Sequence, residues 1–126
     1  MVPEPRTFCW NELATTDAAG CAKFYTELFG WTAAEMPFGP TTYTLFKRDG
    51  QDVGGMLQMT AEWAGVRPHW MAYVAVDNVD GTARRITELG GKVCVPPTDI
   101  SVGRFSVVED PTGAVFSIIK LLPRAA

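Results

Sequence analysis

Apolar residues recur with helical spacing in the first quarter of the chain. The residues at positions i, i+3, i+4 and i+7 are Cys21, Phe24, Tyr25 and Leu28. This spacing is typical of one apolar helix face packed on a core, and it predicts a helix over 18–29. Asp17 precedes the run and is the expected N-cap, because its carboxylate accepts hydrogen bonds from free amides of the first turn. Gly30 is expected to end the helix.

A second helical pattern lies in the second half of the chain. Val79, Ala83 and Ile86 fall on one face, and Gly90-Gly91 follows them as a stop signal. Asp77 stands where an N-cap is expected. The sequence therefore predicts a second helix between Asp77 and Gly90.

Short apolar and β-branched runs predict the strands. They cover residues 7–15, 31–36, 42–47, 53–59, 69–76, 92–95, 104–109 and 114–122. Pro96-Pro97 is expected to end the sixth strand. Gly54-Gly55, inside the fourth, indicates a bulge or a close approach of another group to the backbone. The order β-α-β-β-β occurs twice, which predicts an α+β fold with mostly antiparallel strand pairing.

The two halves of the chain repeat each other. Trp10 lies seven residues before Asp17, and Trp70 lies seven residues before Asp77, so the offset is about sixty residues. Self-similarity at a long fixed offset indicates a duplicated structural unit. We therefore divide residues 1–126, taken as a single domain, into a first module of about 6–59, a connector of 60–68 and a second module of about 69–122.

Composition excludes several classes of protein. The 126 residues are 47% hydrophobic and 20% charged, with a net charge of −3, so no nucleic-acid partner is expected. No run of eighteen apolar residues is present, so no membrane span is expected. The N-terminal residues lack the apolar segment of a secretory signal. Three cysteines without a CxxC spacing favour reduced thiols in the cytosol.

Particular motifs connect the chain to a known family. The first module contains Phe24-Tyr25-x-x-Leu28-Phe29-Gly30-Trp31 after Asp17, and the second contains Val76-Asp77, Gly90-Gly91 and Asp110-Pro-Thr-Gly113. With these motifs the chain resembles the vicinal oxygen chelate superfamily, the group of glyoxalase I, extradiol dioxygenases and bleomycin-resistance proteins. The resemblance implies two βαβββ modules forming a curved, mostly antiparallel sheet around a cavity. Members of this size are usually homodimers.

The metal-ligand positions of that superfamily carry other residues here. Metal-dependent members place a His or Gln on the first strand of each module and a Glu on the last. Carried over by register, these positions are Trp10, Trp70, Ser117 and the neighbourhood of Gly54-Gly55. None of these side chains is a useful transition-metal ligand. We therefore expect no metal and no other cofactor, with a divalent metal as the alternative if the register is misjudged.

Strand alternation then predicts which residues meet a ligand. On the sixty-residue register, Trp10, Glu12 and Trp70 line the concave side, where two indoles and a carboxylate suit a planar or cationic organic molecule. Arg104 and Ser117 are further ligand-binding candidates, although an ion pair and a buried hydroxyl are the plainer interpretations. For catalysis the candidates are Glu12 and His69, the single histidine, as a general base. Tyr43 and Tyr73 offer hydroxyl donors with no partner evident from sequence.

Three functional hypotheses follow. The first is a metal-free, homodimeric cytosolic protein that sequesters or senses an aromatic or cationic metabolite or antibiotic. The alternative is a metal-dependent lyase, isomerase or dioxygenase-like enzyme of the same superfamily. The third is an accessory protein whose cavity is vestigial. The first two need a small organic partner, and none needs nucleic acid or a membrane.

Overall fold

Two βαβββ modules follow each other along the chain. The structure, a computed structural model, describes residues 3–38, 41–63 and 65–123. Its elements are β1 (Phe8–Thr15), α1 (Ala18–Phe29), β2 (Thr32–Phe38), β3 (Thr41–Arg48), β4 (Gln51–Gln58), β5 (His69–Ala75), α2 (Val79–Glu88), β6 (Lys92–Ile100), β7 (Gly103–Glu109) and β8 (Val115–Leu121). A short 3₁₀ turn, Ala61–Trp63, lies in the connector. This order confirms the α+β class and the duplicated module.

The chain divides into two compact units. The first unit is Trp10–Met71, and the second contains the described residues up to Cys9 together with those from Ala72 onward. In the first unit the strand order is β2-β3-β4-β1, with β1 and β4 parallel and the other pairs antiparallel. Its core lies between the sheet and α1. Its buried members are Leu13, Phe46 and Met56, and Cys21, Tyr25 and Trp31 pack against them.

The second unit repeats this plan. Its strand order is β5-β8-β7-β6, with β5 and β8 parallel. Val79 and Ala83 of α2 pack on Ile118 of β8, and Ile86 joins them as a partly buried neighbour. The expected face of the second helix is therefore confirmed. This unit also includes the start of the chain, since the amide of Ala75 donates to the carbonyl of Thr7 at 2.8 Å.

The N-cap of α2 corrects the expected repeat. Asn78, not Asp77, caps this helix, and its Oδ1 accepts from the Gly81 amide at 2.9 Å. Asp17 caps α1 in the same way through the Gly20 amide at 3.0 Å. Equivalent positions are therefore sixty-one residues apart, one more than the tryptophans suggest. Because strand side chains alternate between faces, this single residue reverses the side assigned to Trp70.

The sixth strand also differs from the expectation. It was expected to end at Pro96-Pro97, but β6 continues through both prolines to Ile100. Its pairing with β7 is irregular between Val93 and Thr98. Proline lacks the amide needed for a central strand and is tolerated at a sheet edge. β6 is the edge strand of its unit, which explains why the prolines do not end it.

Helix α1 buries less of its apolar surface than the spacing predicts. Phe24 and Leu28 are 57% and 56% exposed, although Cys21 and Tyr25 pack on the core. The apolar positions of this helix therefore divide into a core-facing row and an outward row. Neither α1 nor α2 is long and apolar enough to cross a membrane.

Candidate functional site

Tyr43 crosses the sheet of the first unit on the side away from α1. Phe46 of the same strand packs under the helix, and strand alternation sends Tyr43 to the opposite face. There its phenol lies directly over Gly55, where a Cβ would overlap the hydroxyl and stand 2.8 Å from a ring carbon. Gly55 is paired in register with Glu12 on β1. The absence of a side chain at Gly55 therefore lets the Tyr43 hydroxyl reach β1.

On β1 the Tyr43 hydroxyl connects two side chains. The indole N–H of Trp10 donates to the hydroxyl oxygen at 2.9 Å, and the hydroxyl is hydrogen-bonded to the Glu12 carboxylate. Burial and, after it, the nearby charge of Glu12 raise the pKa of Tyr43 well above its usual range. The phenol therefore stays protonated and donates to Glu12. We call Trp10, Tyr43 and Glu12 the β1–β3 network.

Both outer members of the network remain partly accessible. Trp10 and Glu12 are each partly buried. The hydrogen bonds fix the indole edge and one carboxylate contact, and they hold the two groups on the same face of β1. The arrangement holds an aromatic ring and a carboxylate in fixed positions on one strand face.

Trp70 does not join this network. Its indole packs edge-on against Tyr25 of α1, with ring centroids 5.4 Å apart, and its N–H donates to the Tyr25 hydroxyl at 3.2 Å. Within the first unit it therefore lies on the helix side of the sheet, opposite Trp10. The expectation that both tryptophans share one side is wrong, because Trp70 is equivalent to Cys9 on the sixty-one-residue register.

Arg104 is engaged within the second unit. Its Nε and Nη2 both bond the Asp80 carboxylate at 2.9 Å, and Nη1 bonds Asp99 at 2.9 Å. Asp80 belongs to the first turn of α2 and Arg104 to β7, so the ion pair links the helix to the strand. The pKa of Asp80 is lowered, chiefly by the Arg104 hydrogen bonds. The structure thus places Arg104 in the ion pair that the sequence offered as the plainer interpretation.

Ser117 lies at the position of the second unit that corresponds to Gly55. It is paired in register with Tyr73, as Gly55 is with Glu12. Its side chain is fully buried, and within the described part of the chain its hydroxyl has no hydrogen-bond partner. A buried hydroxyl without a partner destabilises the folded state. No ligand-binding role for Ser117 follows from this geometry.

His69 begins β5 beside the connector. Its Nδ1 is 2.7 Å from the carbonyl oxygen of Arg67, and its ring lies 6.4 Å from that of Trp63. The other catalytic candidate, Glu12, belongs to the β1–β3 network. The two candidate bases therefore have different polar partners.

The residues present do not fit a transition-metal site. On the corrected register the four superfamily positions carry Trp10, Met71, Gly55 and Ser117, and none offers an imidazole, carboxylate or thiolate. Across residues 3–38, 41–63 and 65–123, no group of three His, Cys, Asp or Glu side chains is placed to hold a metal ion. The absence of a bound metal itself stays a prediction.

Sequence reasoning missed the role of Tyr43. The signal was present in Gly54-Gly55, which indicates a bulge or a close approach to the backbone, but sequence neither decides between these two nor names the approaching group. Tyr43 is twelve residues from Gly55, and only the antiparallel pairing of β3 and β4 brings them together.

Comparison with known proteins gives relatives over most of the chain. It is 39% identical over 113 residues to "Putative glyoxylase CFP32" of Mycobacterium bovis, covering 86% of this chain and 43% of that protein. It is 34% identical over 128 residues to "Anthracycline biosynthesis protein DnrV" of Streptomyces peucetius, covering 90% of this chain and 46% of that protein. The chain thus spans less than half the length of these curated relatives.

Solved structures share the fold at low identity. Methylmalonyl-CoA epimerase from Mycobacterium tuberculosis aligns with a TM-score of 0.67 at 13% identity, over 98% of this chain and 94% of that one. The Streptomyces coelicolor methylmalonyl-CoA epimerase aligns with a TM-score of 0.69 at 16% identity, over 95% and 100%. The family model of the Glyoxalase/Bleomycin resistance protein/Dioxygenase superfamily matches residues 8–118. Taken with the duplicated βαβββ module, this match shows that the chain belongs to the Glyoxalase/Bleomycin resistance protein/Dioxygenase superfamily.

Proposed function

We propose that the protein is a metal-free, homodimeric cytosolic protein that binds a planar aromatic molecule carrying a positive charge. The β1–β3 network is the observation that carries the proposal. It presents the Trp10 ring and the Glu12 carboxylate on one strand face, fixed by the Tyr43 hydroxyl. The ligand stacks on Trp10 and places its cation near Glu12.

The charge preference follows from the hydrogen bond to Glu12. A hydrogen bond donated to a carboxylate favours its ionised form, so the contact from Tyr43 supports a negative charge on Glu12. A stacked aromatic or cationic group on an indole contributes roughly 0.5–2 kcal/mol. Glu12 adds a charge-assisted contact to the same ligand. Trp70 and Arg104 are left out of the proposed site because their polar groups are bonded on the helix sides of their units.

The names of two relatives agree with this ligand chemistry. They are called anthracycline biosynthesis proteins, and many anthracyclines are planar aromatic molecules that carry an amino sugar. An anthracycline is therefore a suitable first probe.

The test is a fluorescence titration with daunorubicin, which carries an ammonium group, beside its neutral aglycone. We expect both to quench tryptophan emission, with daunorubicin binding more tightly. Glu12→Gln should weaken daunorubicin binding roughly 10-fold, the effect of losing about 1.4 kcal/mol, and leave the aglycone unchanged. Trp10→Phe should weaken both.

Trp63→Phe is the matched control, since Trp63 lies in the connector turn and its loss should change neither affinity. The proposal fails if neither compound binds at about 1 mM, or if Glu12→Gln affects both compounds equally. In the second case the carboxylate would contribute only to the local fold.

The enzyme alternative is separated by elemental analysis. Protein purified without chelators and without a histidine tag should contain no stoichiometric metal, because the superfamily positions lack metal donors. About one iron, manganese, nickel or zinc per chain would favour the metal-dependent enzyme instead. Glu12→Ala and His69→Ala, followed by the same analysis, would show whether either side chain binds that metal.

A further inference from the structure

The outward face of the first unit carries a contiguous apolar surface that is mostly aromatic. Its four members are the side chains of Phe24, Leu28, Phe29 and Trp70, which we call the α1 aromatic patch. They are 57%, 56%, 54% and 42% exposed, in that order. The largest apolar patch on a folded protein covers roughly 300–600 Å² and is often functional, so this patch is a candidate interaction site.

Ring contacts make the patch continuous. The partly buried Tyr25 lies at its centre, with ring centroids 5.0 Å from Phe24, 6.3 Å from Phe29 and 5.4 Å from Trp70. Leu28 is one helical turn beyond Phe24 on α1, so these two side chains are neighbours on the helix surface. Tyr25 connects the exposed rings to the core formed by Phe46 and Trp31. The patch is therefore held rigidly from below.

The size of the patch fits the apolar centre of a protein interface. A fully buried aromatic side chain removes about 150–250 Å² from water, so three aromatic side chains and one leucine, each exposed by about half, offer on the order of 400 Å². A standard interface buries roughly 800 Å² on each partner, of which somewhat more than half is non-polar. The apolar area of the patch therefore matches the non-polar part of an interface of that size, and polar residues around it would supply the rest.

The charged side chains beside the patch on one copy of the chain are complementary to the same side chains on a second copy. Lys23 and Glu27 flank Phe24 and Leu28 on α1, and both side chains are exposed. Neither forms an ion pair with another residue in the described part of the chain. In a twofold-symmetric pair of antiparallel helices, residue i of one copy faces residue j of the other and the reverse. Lys23 of each copy then meets Glu27 of the other.

We propose that the α1 aromatic patch is the interface with a second copy of this chain, with two α1 helices packed antiparallel about a twofold axis. This inference rests on the homodimer of the proposed function but not on its ligand site. The curated relatives are more than twice as long as the stretch that this chain matches, so in them a domain of this size is accompanied by a comparable length of chain.

Sedimentation equilibrium between about 1 and about 200 µM tests the interface. The wild-type chain should be a dimer at the upper end. Leu28→Glu should raise the dissociation constant at least roughly 10-fold, because it places a charge in the apolar centre of the interface. Leu89→Glu is the matched control: Leu89 is a similarly exposed leucine, 61%, at the end of α2, and its change should leave association unaltered.

Charge reversal identifies the partner as a second copy. Lys23→Glu and Glu27→Lys should each weaken self-association, since each brings like charges together. Mixed in equal amounts, the two variants should form a heterodimer tighter than either homodimer, because both cross-helix pairs are then attractive. Mixing changes nothing within a single helix, so the gain cannot come from the i, i+4 pair inside α1.

Two results overturn the inference. One is a chain that is monomeric at about 200 µM, which would leave the patch to another occupant. The other is a dimer unaffected by Leu28→Glu, which would place the interface elsewhere. Daunorubicin titration of the same samples separates the proposals, since a monomer that still binds the probe disproves the interface and leaves the ligand site standing.

Discussion

The two units are built from the same βαβββ module, yet they hold their helices and use their open faces differently. In the first, α1 sits on stacked aromatic rings around Tyr25, with Trp31 and Phe46 beneath. In the second, α2 is fastened by the ion pair between Asp80 and Arg104. On the faces away from the helices, the first unit builds a hydrogen-bonded network and the second buries the Ser117 hydroxyl without a partner.

The difference teaches that a duplicated module can keep its scaffold while the contacts on the face away from the helix change from one copy to the other. Gly55 and Ser117 occupy equivalent positions, but only the glycine admits a phenol above the strand. The bare backbone at Gly55 lets Tyr43 reach across to β1, whereas the second unit carries Phe105, which has no hydroxyl, at the position equivalent to Tyr43. The outer helix surfaces diverge similarly, since α1 exposes aromatic rings and α2 exposes Arg84, Arg85 and Glu88.

The largest expected effect comes from filling the glycine that distinguishes the units. Gly55→Ala places a methyl group where the Tyr43 phenol lies, so the ring must leave and its bonds to Trp10 and Glu12 are lost. We expect the free energy of unfolding in urea to fall by roughly 2–4 kcal/mol. Ser117→Ala at the equivalent position should cost nothing or stabilise slightly, because it removes a hydroxyl that has no partner. Equal losses at both positions would contradict the asymmetry.

A smaller effect is expected from removing the hydroxyl alone. Tyr43→Phe keeps the ring over Gly55 but leaves the Trp10 N–H and the Glu12 carboxylate without this contact. The free energy of unfolding should fall by about 1–2 kcal/mol, and daunorubicin affinity should fall with it. Tyr25→Phe also removes a hydroxyl that accepts from a tryptophan, but at an exposed bond, and should cost less. A larger loss of unfolding free energy for Tyr25→Phe than for Tyr43→Phe would mean that the contact on the helix side contributes more to stability.

The smallest effect concerns the ion pair of the second unit. The lowered pKa of folded Asp80 means that its contribution is present above its ordinary value of 3.8 and is lost as the pH falls through the folded value. Asp80→Asn should lower Tm at pH 7 by a few degrees at most, since exposed pairs are screened, and the difference from wild type should vanish once the pH is below the lowered pKa of folded Asp80. Asp77→Asn, which removes a nearby charge outside this ion pair, is the control. A constant difference at all pH values would exclude the ionic cause.

Much of the fold was predictable, because it depends on local signals. Helical spacing and glycine stops predicted both helices, although Asn78 and not Asp77 caps the second. Apolar runs predicted eight strands, and all but the sixth lie close to their observed bounds. The register of the repeat was missed by one residue because the prediction aligned Trp10 with Trp70. The equivalent helix caps, Asp17 and Asn78, are sixty-one residues apart. A one-residue slip moves every strand side chain to the other face, so the candidate ligand set mixed residues from two faces.

By itself the sequence determined the α+β class, the duplicated module and the superfamily, since periodicity, turn residues and short motifs are properties of neighbouring residues. It also indicated at Gly54-Gly55 either a bulge or a close approach of another group to the backbone. Only the tertiary structure decided that the approaching group is Tyr43, that Trp70 packs beside α1, and that Phe24 and Leu28 stay exposed. Those outcomes depend on which strands pair and on how a helix rotates over its sheet, and both are set by packing between residues distant in the chain.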